Sequence, residues 1–331
     1  MTAIDGHPAV APSARLWRRP AAWIGVVDVF AILLAIVLPW STSLVAVFAI
    51  AMLAAMAPFL DVAALWRSLR RPVSAVPIGL FVLALVGTLW SDAAWGARVY
   101  AVSPAAKLLV LPLLFYHFER SERGVAVFIA FLASCALMVP MSWAVAFHPG
   151  LSLKPPDEAA RGIFVKNYID QSQEFALCAV ALAYPIIMLL RGRRIWPALL
   201  LGALSLSFVA TMAFVIVSRT ALVTMPIMLA VFGLVHLKWR TNLMILGAAA
   251  VVAAVAWASS PQLQGTIMTF GSDYQRYSEQ GASTSIGERL EYWRKSLRFL
   301  PRLPWSATAP AQPEAFSSRL RPVPPGLPRA G

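Results

Sequence analysis

Residues 124–147 read GVAVFIAFLASCALMVPMSWAVAF, a run without one charged side chain. A helix that crosses a bilayer needs roughly 20 mainly apolar residues. Lipid offers no water to backbone N–H and C=O groups, so only helices and closed barrels can cross it. This run is long and continuously apolar, not short and alternating, and therefore reads as a helix. Working outward, eight more segments read the same way, at about 23–39, 42–60, 73–90, 104–118, 171–190, 196–217, 220–236 and 242–258. The fourth segment is short, with an earlier start near Tyr100 that would run it through Pro104. The fold class expected is all-α: a polytopic integral membrane protein of about nine transmembrane helices.

Composition agrees. The 331 residues are 59% hydrophobic and 13% charged, with a mean hydropathy of +0.70, where soluble domains carry about 25% charged residues. A net charge of +13 would suit nucleic acid, but most basic residues border apolar segments, where membrane topology accounts for them. Cys135 and Cys178 both lie inside apolar segments and read as packed apolar residues, and no Cys/His spacing suggests zinc.

The basic residues also orient the chain. Arg15, Arg18, Arg19, Arg67, Arg70, Arg71, Arg120, Arg123, Arg191, Arg193, Arg194, Lys238 and Arg240 fall on one set of alternate connections. Arg98, Lys107, Lys154, Arg161, Lys166 and Arg219 fall on the other. The positive-inside rule puts the larger set, and the N-terminus, in the cytoplasm. Residues 1–20 are then a cytoplasmic basic tail without a cleavable signal, 21–258 the transmembrane domain, and 259–300 the start of a periplasmic region. Within that region Ile286, Leu290, Trp293 and Leu297 recur at helical spacing from Ser285 onward. Residues 301–331 hold eight prolines and no apolar period. They read as a disordered tail or as out-of-frame translation; the second is preferred, and sequencing the locus for a continuous downstream frame would settle it.

Charge near a bilayer is costly and so marks candidate sites. Arg161, Lys166, Arg219 and Arg289 all fall on the outer side, against the charge bias. Singly, each has a plainer reading: Arg219 a snorkelling topology turn, Arg161 and Lys166 a solvated loop. Together, cations gathered at the outer boundary suit an anionic lipid headgroup, phosphate above all, which arginine's planar fork can bind through two oxygens. Asp28, inside the first span, reads as a residue near the cytoplasmic end that reaches water and has no role.

Four stretches carry a family resemblance. They are GIFVKNYIDQSQEFALCAVALAYP at 162–185 with its Lys-Asn-Tyr motif, FVIVSRTALVTMPIMLAVFGL at 214–234 with its Ser-Arg pair, STSIGERLEYWRKSLRFL at 283–300 with Arg-x-x-x-Trp, and LWSDAAWGARVYAVSPAAKLLVLPLLF at 89–115. Here the chain resembles the O-antigen ligase and O-antigen polymerase family of envelope glycan enzymes. The resemblance implies a multi-pass protein of the bacterial inner membrane that moves a glycan from an undecaprenyl-diphosphate carrier. A ligase moves it onto lipid A core; a polymerase moves it onto another lipid-linked repeat. Cations holding the leaving diphosphate stabilise its developing charge. By motif position Arg219 and Arg289 are the first diphosphate binders, Lys166 the third and Arg161 the fourth. No metal and no cofactor is implied, and nucleic acid is not a partner. The partners implied are the lipid-linked glycan, the lipid A core or another glycan acceptor, and membrane lipids.

The family's later periplasmic histidine, proposed as general base, has no counterpart. His7, His117 and His236 fall on the cytoplasmic side, and His148 matches no motif, so no catalytic residue is identified. The chain is expected to be truncated or frameshifted after about residue 300 and to transfer glycan poorly; robust transfer by these residues alone would contradict that. Two other classes stay open. A lipid-linked glycan transporter would show internal repeats and mid-membrane cations, and a non-catalytic remnant would suit the C-terminal break.

Overall fold

The computed structural model describes residues 20–90, 94–159, 161–280 and 285–299. Every regular element among these is a helix. The tail carrying Arg15, Arg18 and Arg19, and the segment 301–331, lie outside the described residues. Among the described residues, seven helical stretches are long and apolar enough to cross a membrane, or eight if Val62–Leu69 and Pro72–Gly87, bent by 84°, count as one span. The apolar helix Ala22–Val37 is shorter than these. Each of the nine expected segments is therefore helical, while length and composition qualify seven or eight as spans.

The chain divides into two compact units. The first takes the residues up to Phe59 together with Ser121–Gly287. It contains α1 (Pro20–Val37), α2 (Thr42–Met56), α7 (Gly124–Phe147), α8 (Tyr168–Ala181), α9 (Ala183–Arg191), α10 (Ile195–Phe214), α11 (Arg219–His236), α12 (Trp239–Ser259) and α13 (Pro261–Gln280). The second, Leu60–Arg120 and the residues from Glu288, contains α3 (Val62–Leu69), α4 (Pro72–Gly87), α5 (Trp95–Ala106), α6 (Val110–Phe118) and most of α14 (Ser285–Phe299).

In the first unit the core lies among α7, α8 and α10, where Phe131, Cys135, Met138, Phe175, Cys178, Phe208 and Met212 are buried together. The Phe175 and Phe208 rings pack with centroids 5.2 Å apart. Both cysteines are free and buried, as packed apolar residues should be. Of the candidate spans, α8–α9 is the most enclosed, with 39% of its window buried, and α12 the least, with 6%. Pro185 has no N–H for the Ala181 carbonyl, and the helix breaks just before it, at Leu182. The turn between α1 and α2 is tied to α7: Trp40 Nε1 donates to Ser134 Oγ at 2.7 Å, and that hydroxyl donates to the Ile36 carbonyl at 2.6 Å.

Asp28 departs from expectation. It is 3% exposed and accepts from Ser121 Oγ at 2.5 Å, with Arg123 Nε at 3.8 Å. A buried carboxylate is tolerated when it is hydrogen-bonded, so it fastens α1 to the connection before α7 and does not reach for water. Asp28→Ala should lower the thermal midpoint of detergent-solubilised protein by the equivalent of about 1–3 kcal/mol. Asp28→Asn, which keeps one acceptor, should cost less; equal stability of Asp28→Ala and wild type would contradict this role.

In the second unit, Asp61 caps α3 by accepting from Ala63 N and Ala64 N at 3.0 and 3.1 Å, while its own N–H donates to the Tyr116 hydroxyl at 2.9 Å. Ser68 Oγ donates to Glu119 Oε1 at 3.0 Å, and Arg71 pairs with the same oxygen at 2.7 Å. The fourth span begins at Trp95, earlier than either start read from the sequence. Pro104 sits inside α5, where one missing backbone donor is tolerated. Arg98 is accommodated in the first turn by donating to the Thr88 carbonyl at 3.1 Å and stacking over Trp95 at 4.8 Å. Helix α14 forms from Ser285 as its apolar spacing predicts, and its Leu290, Trp293 and Leu297 are exposed.

Candidate functional site

The connection 148–167 folds back on itself before α8 starts. Ser152 Oγ donates to the Ile163 carbonyl at 2.6 Å, and Leu153 N donates to the Phe164 carbonyl at 3.2 Å. Gly162 makes the reversal with φ +69°, and a β-carbon there would overlap Val215 Cγ1 and come within 2.9 Å of the Ser142 carbonyl. The connection is therefore seated on α7 and on the link between α10 and α11.

The Lys-Asn-Tyr motif now has a local explanation. Asn167 is the N-cap of α8, accepting from Asp170 N at 2.8 Å and donating to Asp170 Oδ2 at 2.9 Å, the arrangement that satisfies first-turn donors. Tyr168 packs on the core and carries the exposed Arg161 guanidinium over its ring at 5.4 Å. Lys166 turns inward: its ammonium donates to Glu174 Oε1 at 2.9 Å and to the Leu38 carbonyl at 3.0 Å, with Asp170 Oδ2 at 3.7 Å. The Lys166 and Glu174 side chains are only 12% and 11% exposed. This cation, read from sequence as a diphosphate ligand, is enclosed by two carboxylates and ties the connection to the α1–α2 turn.

Arg219 opens α11, directly after the buried link through Val215, Ile216 and Ser218. A helix N-terminus presents unpaired N–H groups and favours anions. The guanidinium is held from α13: Nη1 to Asp273 Oδ2 at 2.6 Å and Nη2 to Thr269 Oγ1 at 2.7 Å, with side chains 29% and 21% exposed for the charged pair. No helix was expected over 261–280 from sequence. It is anchored by Ser260, whose hydroxyl donates to the Ala213 carbonyl at 2.6 Å and accepts from Leu263 N at 3.2 Å. Arg289 is exposed on α14 and belongs to the second unit.

Sequence reasoning overlooked the polar face of α8. Gln171 is fully buried and donates to Ser142 Oγ at 2.7 Å, and Gln173 Oε1 accepts from Thr224 Oγ1 of α11 at 2.9 Å. Among the described residues, Gln171 Oε1, Gln173 Nε2, Glu174 Oε2 and Ser218 Oγ are buried without a protein partner. The signal was available: Asp-Gln-Ser-Gln-Glu at 170–174 opens a span otherwise apolar. Of the described histidines, His117 is buried against Phe118, His148 follows the last turn of α7, and His236 stacks on Phe232. No group of three or more His, Cys, Asp or Glu among the described residues could hold a metal ion.

Residues 205–328 match the family model described as O-antigen ligase. Over that range the chain is similar to the O-antigen ligase family. The matched range takes in the latter half of α10, the buried link, α11 to α14 and residues 301–328, and therefore both Arg219 and Arg289; Lys166 and Arg161 precede it. No curated protein and no solved structure gives a match. The similarity and the seven or eight apolar helices together fit a multi-pass membrane protein.

Proposed function

We propose that the chain binds an undecaprenyl-diphosphate-linked glycan at the periplasmic face of the bacterial inner membrane, for transfer of the glycan to lipid A core. The observation that carries this is Arg219. It lies in the matched range, at the N-terminus of α11 and at one end of a span, with its planar fork fixed by Asp273 and Thr269. A diphosphate arriving there takes the place of the Asp273 carboxylate and gains bidentate bonds. Those bonds stabilise the negative charge that grows on the leaving group as the anomeric bond breaks. Arg161, exposed in the same unit, is a further cation proposed to touch the donor, and Arg289, which belongs to the second unit, is proposed as a donor cation on its motif alone. Lys166 acts one step back, fixing the connection that carries Arg161.

The test is donor binding in nanodiscs, with undecaprenyl diphosphate as the probe. Arg219→Gln should weaken binding about tenfold or more, the worth of a charged hydrogen bond. Asp273→Asn should tighten it about fivefold at most, because an ion pair of this exposure is worth about 1 kcal/mol or less. Unchanged affinity in Arg219→Gln would refute the reading.

A further inference from the structure

We infer that α3 lies flat on the membrane surface and binds anionic phospholipid headgroups. Three observations carry this, none of which depends on the donor site. First, α3 meets α4 at 84°. If the apolar α4 crosses the bilayer, α3 must run along its plane. Second, one side of α3 is occupied: Ser68 is buried and bonded to Glu119, and Asp61 is held by the Tyr116 hydroxyl. The helix is fixed at a set rotation and does not roll.

Third, the exposed side is ordered as an interfacial helix requires. At 100° per residue, Val62 and Trp66 are neighbours on the surface, followed by Arg70 and then Arg67. Val62 is 71% and Trp66 57% exposed, and Arg67 and Arg70 are exposed beside them. The Arg70 guanidinium stacks over the Trp66 ring at 5.0 Å, which places a cation where the apolar edge ends. Tryptophan favours the boundary between headgroup and acyl chain, and arginine beside it reaches back to phosphate. Apolar and basic edges side by side match one occupant: a leaflet whose acyl chains take Val62 and Trp66 while its phosphates take Arg67 and Arg70. Arg71, already paired with Glu119 at 2.7 Å, is not part of this edge.

The experiment uses the full chain in nanodiscs of phosphatidylcholine with one quarter phosphatidylglycerol, and measures enrichment of phosphatidylglycerol at the protein. The double variant Arg67→Gln/Arg70→Gln should reduce enrichment about tenfold, since each basic residue near a charged leaflet contributes on the order of 1 kcal/mol. The comparison is Arg193→Gln/Arg194→Gln, which removes two exposed charges from the connection after α9; its loss should be no more than about twofold. Equal losses in the two double variants would overturn a site on α3, leaving only general attraction of basic connections. Depth is read separately with brominated acyl chains. The quenching lost on Trp66→Phe should be a clear fraction of the total, and no loss would put α3 in water and overturn the inference.

Discussion

Lys166→Met should lower the stability of the first unit by about 3–5 kcal/mol, because breaking a buried pair leaves the other charge uncompensated. The remaining charge is Glu174, 11% exposed beside Lys166 and with its second oxygen already unpartnered. The Leu38 carbonyl loses its donor in the same step. Lys166→Met/Glu174→Leu removes both charges and should recover most of the loss, since an apolar replacement of a whole buried pair is often neutral. Thermal unfolding in detergent checks both. The recovered double variant then decides between two roles for Lys166. If the ammonium only positions the connection, undecaprenyl diphosphate binding returns with stability; if it touches the donor, stability returns and binding does not. A single variant as stable as wild type would remove the structural role altogether.

Gly162→Val should cost about 2–5 kcal/mol and sharply reduce the yield of folded protein. A non-glycine residue in the left-handed region costs roughly 1–2 kcal/mol, and forcing side-chain atoms into an occupied space adds about 1–3 kcal/mol. Both apply here: φ is +69°, and the new carbon would meet Val215 Cγ1 and the Ser142 carbonyl. The space cannot be relieved cheaply, because Val215 belongs to the buried link and Ser142 receives the Gln171 hydrogen bond. Glycine at 150 in the same connection has open space around a built β-carbon, so Gly150→Val should leave yield nearly unchanged. Similar yields for the two variants would contradict this account.

The spans were legible because lipid imposes one rule along the whole segment: continuous apolarity of the right length. That rule placed a helix at each expected segment, of which seven or eight qualify as spans among the described residues, and it failed where a local contact outweighed it. Arg98 made the start of the fourth span look polar, yet its charge is met by Thr88 and Trp95. The bend at α3 left no sign in hydropathy, because Arg70 and Arg71 read equally well as an ordinary loop. At the site, positions were legible and partners were not. Charge bias singled out Lys166 and Arg219, but Glu174 looked like part of a helix start, and Asp273 lay in a stretch to which no element had been given. Asp28 shows the same gap: its partner Ser121 is 93 residues away, a distance over which sequence pattern says nothing.

The first unit is assembled from two separated stretches of chain, and that sets an order during biogenesis. The α1–α2 hairpin leaves the ribosome early, but Ser134, which ties down Trp40, is made 94 residues later, and Lys166, which holds Leu38, 128 residues later. At roughly 5–20 residues per second of synthesis, the hairpin waits in the bilayer for several seconds with its turn unfastened while Leu60–Arg120 is threaded. Insertion factors that shelter half-finished helical pairs would act on this protein in that interval.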